Sequence, residues 1–438
     1  MGRTKSLFRS SGCLWLIVGS LFILSFHGCA VIKGLQKKAE PPPIYPEHYL
    51  DRKDFFVANG DSVVGRLAAI KLKNGDTLPD IARHFSLGIN ALIEANPGVD
   101  VWVPKAGERI MLPLSFILPD FVGKGIVINL ASMRLFYFKG ENNAVVVSTY
   151  PVGVGTTERP TPMGEMHVVR KVTKPTWHVP ASIAEDHRKK GDPLPAKIPP
   201  GPLNPLGEYA LYLSKPTYLI HGTNKPSSIG LRATNGCIRL YPEDIRQLYA
   251  DTPLKTPVSI INQPYLAGQR GEVLYLEAHA PFESSGSGDL EKIHVKLRKM
   301  EKETGRMLDW KKVKEVLAEA RGIPIPISEM REDNRERIMD TIEISHPDKL
   351  YGKPEIPELK VDAWYVLAAT VSEKIEAMRL AAIINHQGPQ IPATVLSIND
   401  RHRVMAGPFR DVREAKDAMK RLKIDLELDG ILVEPVKK

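Results

Sequence analysis

The chain has 438 residues, 43% of them apolar and 25% charged, with a formal net charge of +9. That length is too great for a single compact core and points to about two to four domains, while the composition excludes both a disordered chain and a many-spanning membrane protein. The positive excess is spread without a Lys/Arg block, so acidic wall polymer or lipid suits it as well as nucleic acid does.

Arg3, Lys5 and Arg9 precede the apolar run "CLWLIVGSLFILSF", the pattern of an export signal over residues 1–29. Gly28-Cys29 resembles the end of a bacterial lipobox, which implies lipid attachment at Cys29. Phe26 and His27 depart from that pattern, and an uncleaved signal anchor or simple cleavage are the other readings. Each of them takes the remainder out of the cytosol. Of three cysteines, Cys13 lies in the removable segment and Cys29 at its end, so Cys237 stands alone in an oxidising compartment. A lone exported thiol is either buried or used.

Residues 30–54 carry a triple proline among polar residues and read as a tether. Two stretches then repeat, "NGDSVVGRLA" from Asn59 and "NGDTLPDIAR" from Asn74. In the second, Asp76 or Thr77 can cap a helix bearing Ile81, Ala82 and Phe85 on one face. A second helix, "INALIEANPG", stops at Asn96-Pro97-Gly98, and the strand "RIMLP" follows. The motifs "GDTLPDIARHF", "LIEANP" and "GERIMLP" resemble a LysM module over residues 65–113, within a domain spanning 55–119. The resemblance implies a small βααβ fold that binds N-acetylglucosamine chains; a structural prodomain without glycan affinity is the alternative.

From 124 to 265 the texture is β-branched and alternating, with "GIVINL", "RLFYF", "AVVVSTYPVGVG", "MHVVRKV", "YALYLS", "TYLIHG" and "PVSIIN" separated by Gly/Pro/Asn turns. This predicts a mainly-β sandwich over 120–282, with short helices after Pro180 and from Pro242. Residues 283–360 read as a charged helical linker. In "DWKKVKEVLAEARG" Asp309 caps, Gly322 stops, and Trp310, Val313, Val316, Leu317 and Ala320 form a packing stripe. Residues 361–438 repeat strand-helix-strand twice, predicting a four-stranded sheet covered on one face by two helices, an α+β ferredoxin-like fold. "RHRVMAGPF" followed by an Ala-rich helix resembles a SPOR module, which implies binding to denuded glycan strands. RNA-binding folds share this topology, but the surface-aromatic motif they need is missing and export argues against RNA, so no nucleic acid is expected.

His221 ends the strand "TYLIHGT", and Cys237 follows sixteen positions later in "TNGCIR". A thiol attacks as thiolate and needs an imidazole to take its proton and return it to a leaving amine. Gly236 lets backbone approach a substrate, so the amides of Gly236 and Cys237 are candidate oxyanion donors. Arg239 is placed either to hold a carboxylate or to brace the loop by a salt bridge. Papain-like and NlpC-type peptidases place Cys before His, and sortases have a wider gap. A zinc site would need more ligands than one cysteine and the scattered His167, His178 and His187.

"HGTNKPSSIGLRATNGCIRLYPEDI" closely resembles the active-site segment of the L,D-transpeptidases, the YkuD-like family, with "YPVGVG", "TPMGEMHV" and "PPGPLNPLGEYAL" in support. The resemblance implies His221 as base, the Gly222 carbonyl as its orienting partner, Cys237 as nucleophile, Thr234, Asn235 and Gly236 as the loop before it, and Arg239 as a polar anchor. Asn235 stands where many members have His, a position that mainly supplies a backbone amide. The implied activity attacks the diaminopimelate–D-Ala bond of a tetrapeptide stem, forms a thioester, and passes the acyl group to an amine: another stem for a 3-3 crosslink, an envelope lipoprotein, or a free D-amino acid. No metal or cofactor is expected. The expected partners are stem peptides, glycan strands and a membrane reached by lipid or anchor, in the periplasm of a diderm bacterium. The residues 171–197 are expected to overhang the cleft, with Trp177 lining it or packing. A non-catalytic glycan-binding protein, a carboxypeptidase and a hydrolase of the lipoprotein link are the alternatives.

Overall fold

The computed structural model describes residues 44–436 apart from 51, 59, 121–122, 142–143, 281–286 and 330–340. The expected export signal and Cys29 lie outside the described residues. From Ile44 the chain is held in sheet rather than free as a tether. β1 (Ile44–Tyr45) pairs in parallel with Glu343 and Ile344, and β2 (Asp54–Val57) reaches into the sandwich described below.

The next elements are β3 (Val63–Gly65), β4 (Ala68–Lys71), α1 (Leu78–His84), α2 (Ile89–Ala95), β5 (Arg109–Leu112) and β6 (Ser115–Ile117). Thr77 caps α1 by accepting from the Asp80 N–H at 3.2 Å, satisfying one of the donors a helix start leaves open. Asp76, the other expected cap, accepts instead from the Lys73 amide at 2.6 Å. Asn96 ends α2 and accepts from the Met111 N–H at 2.6 Å, which pins the breaker to β5. β4 and β5 pair antiparallel, and the resulting βααβ unit buries Leu78, Ile81, Phe85, Leu92, Ile110 and Leu112 completely. Each such side chain stabilises by about 1.5–3 kcal/mol. The two repeat copies diverge. The first forms β3, because Val63 and Val64 favour extended backbone and Gly65 (φ +71°) lies where a Cβ would come within 2.0 Å of the Leu114 carbonyl oxygen.

The sandwich contains β7 (Gly125–Asn129), β8 (Arg134–Glu141), β9 (Ala144–Pro151), β10 (Val154–Gly155), β11 (Gly164–Thr173), β12 (Trp177–His178), α3 (Ala181–Lys189), β13 (Lys197–Ile198), β14 (Tyr209–Leu213), β15 (Leu219–His221), β16 (Arg232–Thr234), β17 (Ile238–Arg239), α4 (Pro242–Asp251) and β18 (Pro257–Ile261). Its main sheet runs β17-β15-β14-β11-β18-β7-β8-β9-β2. β11 is shared by both halves: Gly164 to His167 pair with β18, Val168 to Thr173 pair with β14, and the register breaks between Val168 and Arg170. Such a break bends a strand, so one continuous sheet rather than two separate ones encloses Ile126, Leu135, Tyr150, Val168, Leu211, Ile220 and Ile260. Pro242 opens α4, which sends Ile245 and Leu248 into the same core.

β19 (Tyr265–Arg270), β20 (Val273–Ala278), α5 (Ser287–Thr304), α6 (Trp310–Glu319), β21 (Ile325–Pro326) and β22 (Ile342–Ile344) follow. The expected linker over 283–360 is corrected here. Ile293 and Leu297 of α5 and Val313 and Val316 of α6 bury against the β19–β20 hairpin, β21 extends that hairpin, and β22 inserts between β1 and β4. The apolar stripes supply the reason, since a free linker would leave them in water. Asp309 caps α6 by accepting from the Lys311 and Lys312 amides, but the stop is Ala320 (φ 47°), two residues before Gly322.

The last module comprises β23 (Trp364–Val371), α7 (Lys374–Asn385), β24 (Ala393–Ile398), β25 (Arg401–Phe409), α8 (Val412–Leu426) and β26 (Ile431–Val433), in an antiparallel sheet of order β24-β25-β23-β26. Ala377, Ala381, Ala415 and Ala418 let both helices approach it closely. The module docks through its helices. His386, just after α7, places Nε2 3.0 Å from Asp80 and its carbonyl accepts from Ser227 Oγ at 3.0 Å; Arg379 pairs with Asp100 at 2.6 Å and Lys420 of α8 with Asp192 at 3.0 Å.

Candidate active site

Two short strands set the site. β15 and β17 pair in parallel, with Ile220 opposite Ile238 and His221 opposite Arg239. Register partners on neighbouring strands point to the same face, so His221 and Arg239 lie side by side, and Cys237 stands two residues before Arg239 at the entrance to β17. On the other side β16, which leads into Cys237, pairs with β10. The loop 235–237, which ends on this candidate nucleophile, is thus the crossing between two anchored strands.

His221 is buried and its Nδ1 lies 2.7 Å from the Gly222 carbonyl. A carbonyl only accepts, so Nδ1 carries the proton and Nε2 keeps a lone pair. Burial, reinforced by the Arg239 charge, holds the imidazolium pKa down to about 3 against the opposing carbonyls of Gly222 and Leu206. Cys237 is partly exposed. Its sulfur donates to the Thr217 carbonyl at 3.6 Å rather than to His221. Burial pushes the thiol above its ordinary value, although the Leu219 amide and Arg239 favour the anion. Around neutrality the site therefore rests as neutral thiol beside neutral imidazole.

The loop before the thiol is internally braced. Thr234 Oγ1 donates to the Cys237 carbonyl at 2.7 Å and accepts from the Gly236 N–H at 3.2 Å. This corrects the expectation for Gly236, whose amide is spent on Thr234 and is not turned to an oxyanion. The Cys237 amide makes no hydrogen bond among the described residues. Gly236 itself has φ +100°, and a Cβ there would lie 2.8 Å from the Tyr218 ring and 3.2 Å from the Pro160 carbonyl oxygen. Asn235 accepts from Arg159 Nη1 at 2.5 Å through its side chain.

Arg239 forms no salt bridge among the described residues. Nη1 donates to Ser228 Oγ at 2.9 Å, Nε has no partner, and burial lowers the guanidinium to about 10. The loop-bracing salt bridge allowed by the sequence is absent, and the charge facing Arg239 is the Cys237 thiolate once it forms.

A family model for the YkuD L,D-transpeptidase catalytic domain matches residues 123–260, and one for the SPOR domain matches 360–434. The probable L,D-transpeptidase YbiS of Escherichia coli (strain K12) is 41% identical over 232 residues, which is 52% of this chain and 74% of that protein. The probable L,D-transpeptidase ErfK/SrfK of Salmonella typhimurium is 39% identical over 280 residues, 61% of this chain and 89% of its own length. This chain belongs to the L,D-transpeptidase family. It is a peptidoglycan L,D-transpeptidase with a C-terminal SPOR domain.

In this L,D-transpeptidase the segment expected over the cleft carries β12, α3 and β13. α3 buries none of its residues, and Trp177 is half-buried beside Ile198. Its tie to the nucleophile loop is Arg159, which pairs with Asp186 of α3 while donating to Asn235. Sequence reasoning missed Arg159, Thr217, Tyr218 and Ser228. The first lies in "TTERPTPMG", where nothing but proximity to the recognised "TPMG" marks it; the others act through a carbonyl, a ring edge and a hydroxyl, which no spacing advertises.

Proposed function

We propose that Cys237 and His221 carry the transpeptidation through a thioester. The observation that carries this is the tautomer: Gly222 holds Nδ1, which leaves Nε2 as the basic atom of an imidazole in register with Arg239, two residues after Cys237. The thiol gives its proton to Nε2 as sulfur attacks the carbonyl of the diaminopimelate–D-Ala bond, and the negative charge that builds on oxygen is received by the Cys237 amide. The imidazolium passes the proton to the departing D-Ala nitrogen, the C–N bond breaks, and the acyl group remains on sulfur. An acceptor amine then attacks the thioester, His221 takes a proton from that amine, and the thiol is regenerated. Turning the sulfur from Thr217 toward His221 is the first motion required. Arg239 steadies the anion during it.

The acceptor reading is an amine of another stem or of an envelope lipoprotein. The βααβ unit is read as a LysM domain and the SPOR sheet as a second glycan contact, so two weak sites on one chain concentrate the enzyme on its polymer. The helical face of the SPOR domain is the docked one, which supports glycan contact through the sheet. Lipidation of Cys29 and a periplasmic place complete the reading.

Incubation with disaccharide-tetrapeptide tests it. Release of D-Ala and an acyl adduct on the intact protein, both lost in Cys237→Ala, are expected. No release by the wild type, or release that persists in Cys237→Ala, overturns it.

A further inference from the structure

β17 pairs on one side with β15, which ends in His221, and is bridged on the other by Gly153 just before β10, and on that far side, where β10 pairs with β16, lies a cavity of about 560 Å³. Val154 and Gly155 of β10 form part of its wall, Pro160 and Met163 its rim, and Arg232 of β16 its cationic group. A Cβ at Gly236 would lie 3.2 Å from the Pro160 carbonyl oxygen, so the rim of the cavity borders the loop. Arg232 and Cys237 belong to the same run of chain, the one at the start of β16 and the other just beyond its end.

We propose that this cavity is the subsite for the part of the donor that stays on the enzyme, and that Arg232 recognises the distal carboxylate of its diaminopimelate. The inference rests on the thioester reading above. In that reaction one imidazole protonates the leaving D-Ala and later deprotonates the acceptor amine, so both must occupy the His221 side of the sulfur. The retained acyl group is left with the opposite side, where the cavity lies. Once the L-centre of diaminopimelate is engaged as acyl, its other end still carries a carboxylate, and a planar guanidinium suits that group. The exposed Glu158 carboxylate is held below its ordinary range first by its own backbone amide and by Thr156, with Arg232 adding to this. The apolar part of the wall, Leu130, Val154 and Met163 among it, suits the methylene chain between the two centres.

The test uses the full chain with two donors, disaccharide-tetrapeptide with a free distal carboxylate and the same compound amidated there. For the wild type, amidation is expected to lower kcat/KM for D-Ala release roughly ten- to hundredfold, the range for losing a charged hydrogen bond. Arg232→Gln is expected to be slow on both donors and indifferent to amidation, Arg232→Lys to recover part of the preference, and both to keep the wild-type rate of thiol alkylation by iodoacetamide. An Arg232→Gln enzyme that discriminates between the donors as the wild type does overturns the subsite while leaving the thioester reading intact. A wild type that releases no D-Ala from either donor overturns both.

Discussion

His221 and Arg239 sit side by side in register on β15 and β17, and Arg239 forms no salt bridge among the described residues. Burial is the larger influence on both neighbouring groups, and to it the cation adds by disfavouring a charged imidazole and favouring a charged sulfur. Arg239→Gln is therefore expected to raise the thiol pKa further and to slow iodoacetamide alkylation at pH 7 by about tenfold, one pKa unit's worth. Arg239→Lys should keep most of the rate. A pH profile of alkylation in the three proteins checks this, and overlapping profiles would refute it.

The same electrostatics fix the pH dependence. With the imidazolium held down to about 3, His221 stays unprotonated well below the ordinary histidine range, so D-Ala release should show no acid limb near pH 6.5. Stability carries the opposite cost. The unfolded chain protonates this histidine first, near pH 6.5, so as pH falls from there toward 3 the unfolded state gains protons that the folded state refuses, and stability is lost. Urea unfolding at pH 7 and pH 5 should show a smaller loss for His221→Asn than for the wild type.

His279 behaves in reverse. Burial alone would lower it, but Glu277 at 2.7 Å and Glu94 at 3.4 Å overcome this and raise it to about 9. Its contribution is fully present below about 6.5, the unfolded value, and is lost as pH rises through about 9. The shift corresponds to stabilisation on the order of 3 kcal/mol. Melting temperature should fall between pH 7 and pH 10 in the wild type, and much of that slope should vanish in His279→Gln.

Gly236→Ala meets two obstacles, a left-handed φ and the Tyr218 ring. The expected cost is about 1–3 kcal/mol, concentrated at the nucleophile, with D-Ala release down by at least about a hundredfold. Adding Tyr218→Ala removes the ring contact but not the backbone strain, so only part of the loss should return. Parallel D-Ala assays of the single and double variants decide it.

How much of this was legible depended on the range of the interaction. Thr77 and Asp309 cap helices as their local sequences imply, and Cys237 stands at the entrance to β17, the strand paired with the one that His221 ends. The Gly236 amide could not be assigned from "TNGC", since the competing acceptor, Thr234 Oγ1, is set by the bend between β16 and β17. β2 at the sheet edge, β22 between β1 and β4, and the packing of α5 and α6 involve partners far away in the chain. Their strands and apolar stripes were visible, but no local signal names the surface that receives them.

The docking of the SPOR module offers the sharpest test of long-range structure. Gly388 follows His386 and lies so close to the loop after His221 that a Cβ would come within 2.0 Å of the Asn224 carbonyl oxygen. Backbone cannot yield as a flexible side chain can, so Gly388→Val should separate the module from that loop and break the bonds of His386 to Asp80 and Ser227. The sheet and its alanine-lined helices do not use this contact, so the module should remain folded at the end of the segment between β22 and β23. The expected outcome is a larger radius of gyration by solution scattering, with faster proteolysis between the sandwich and the module. D-Ala release from a soluble tetrapeptide should persist, because Cys237, His221 and Arg239 are held by strands of the sandwich. An unchanged radius in Gly388→Val would mean that the docked arrangement is not what this glycine secures.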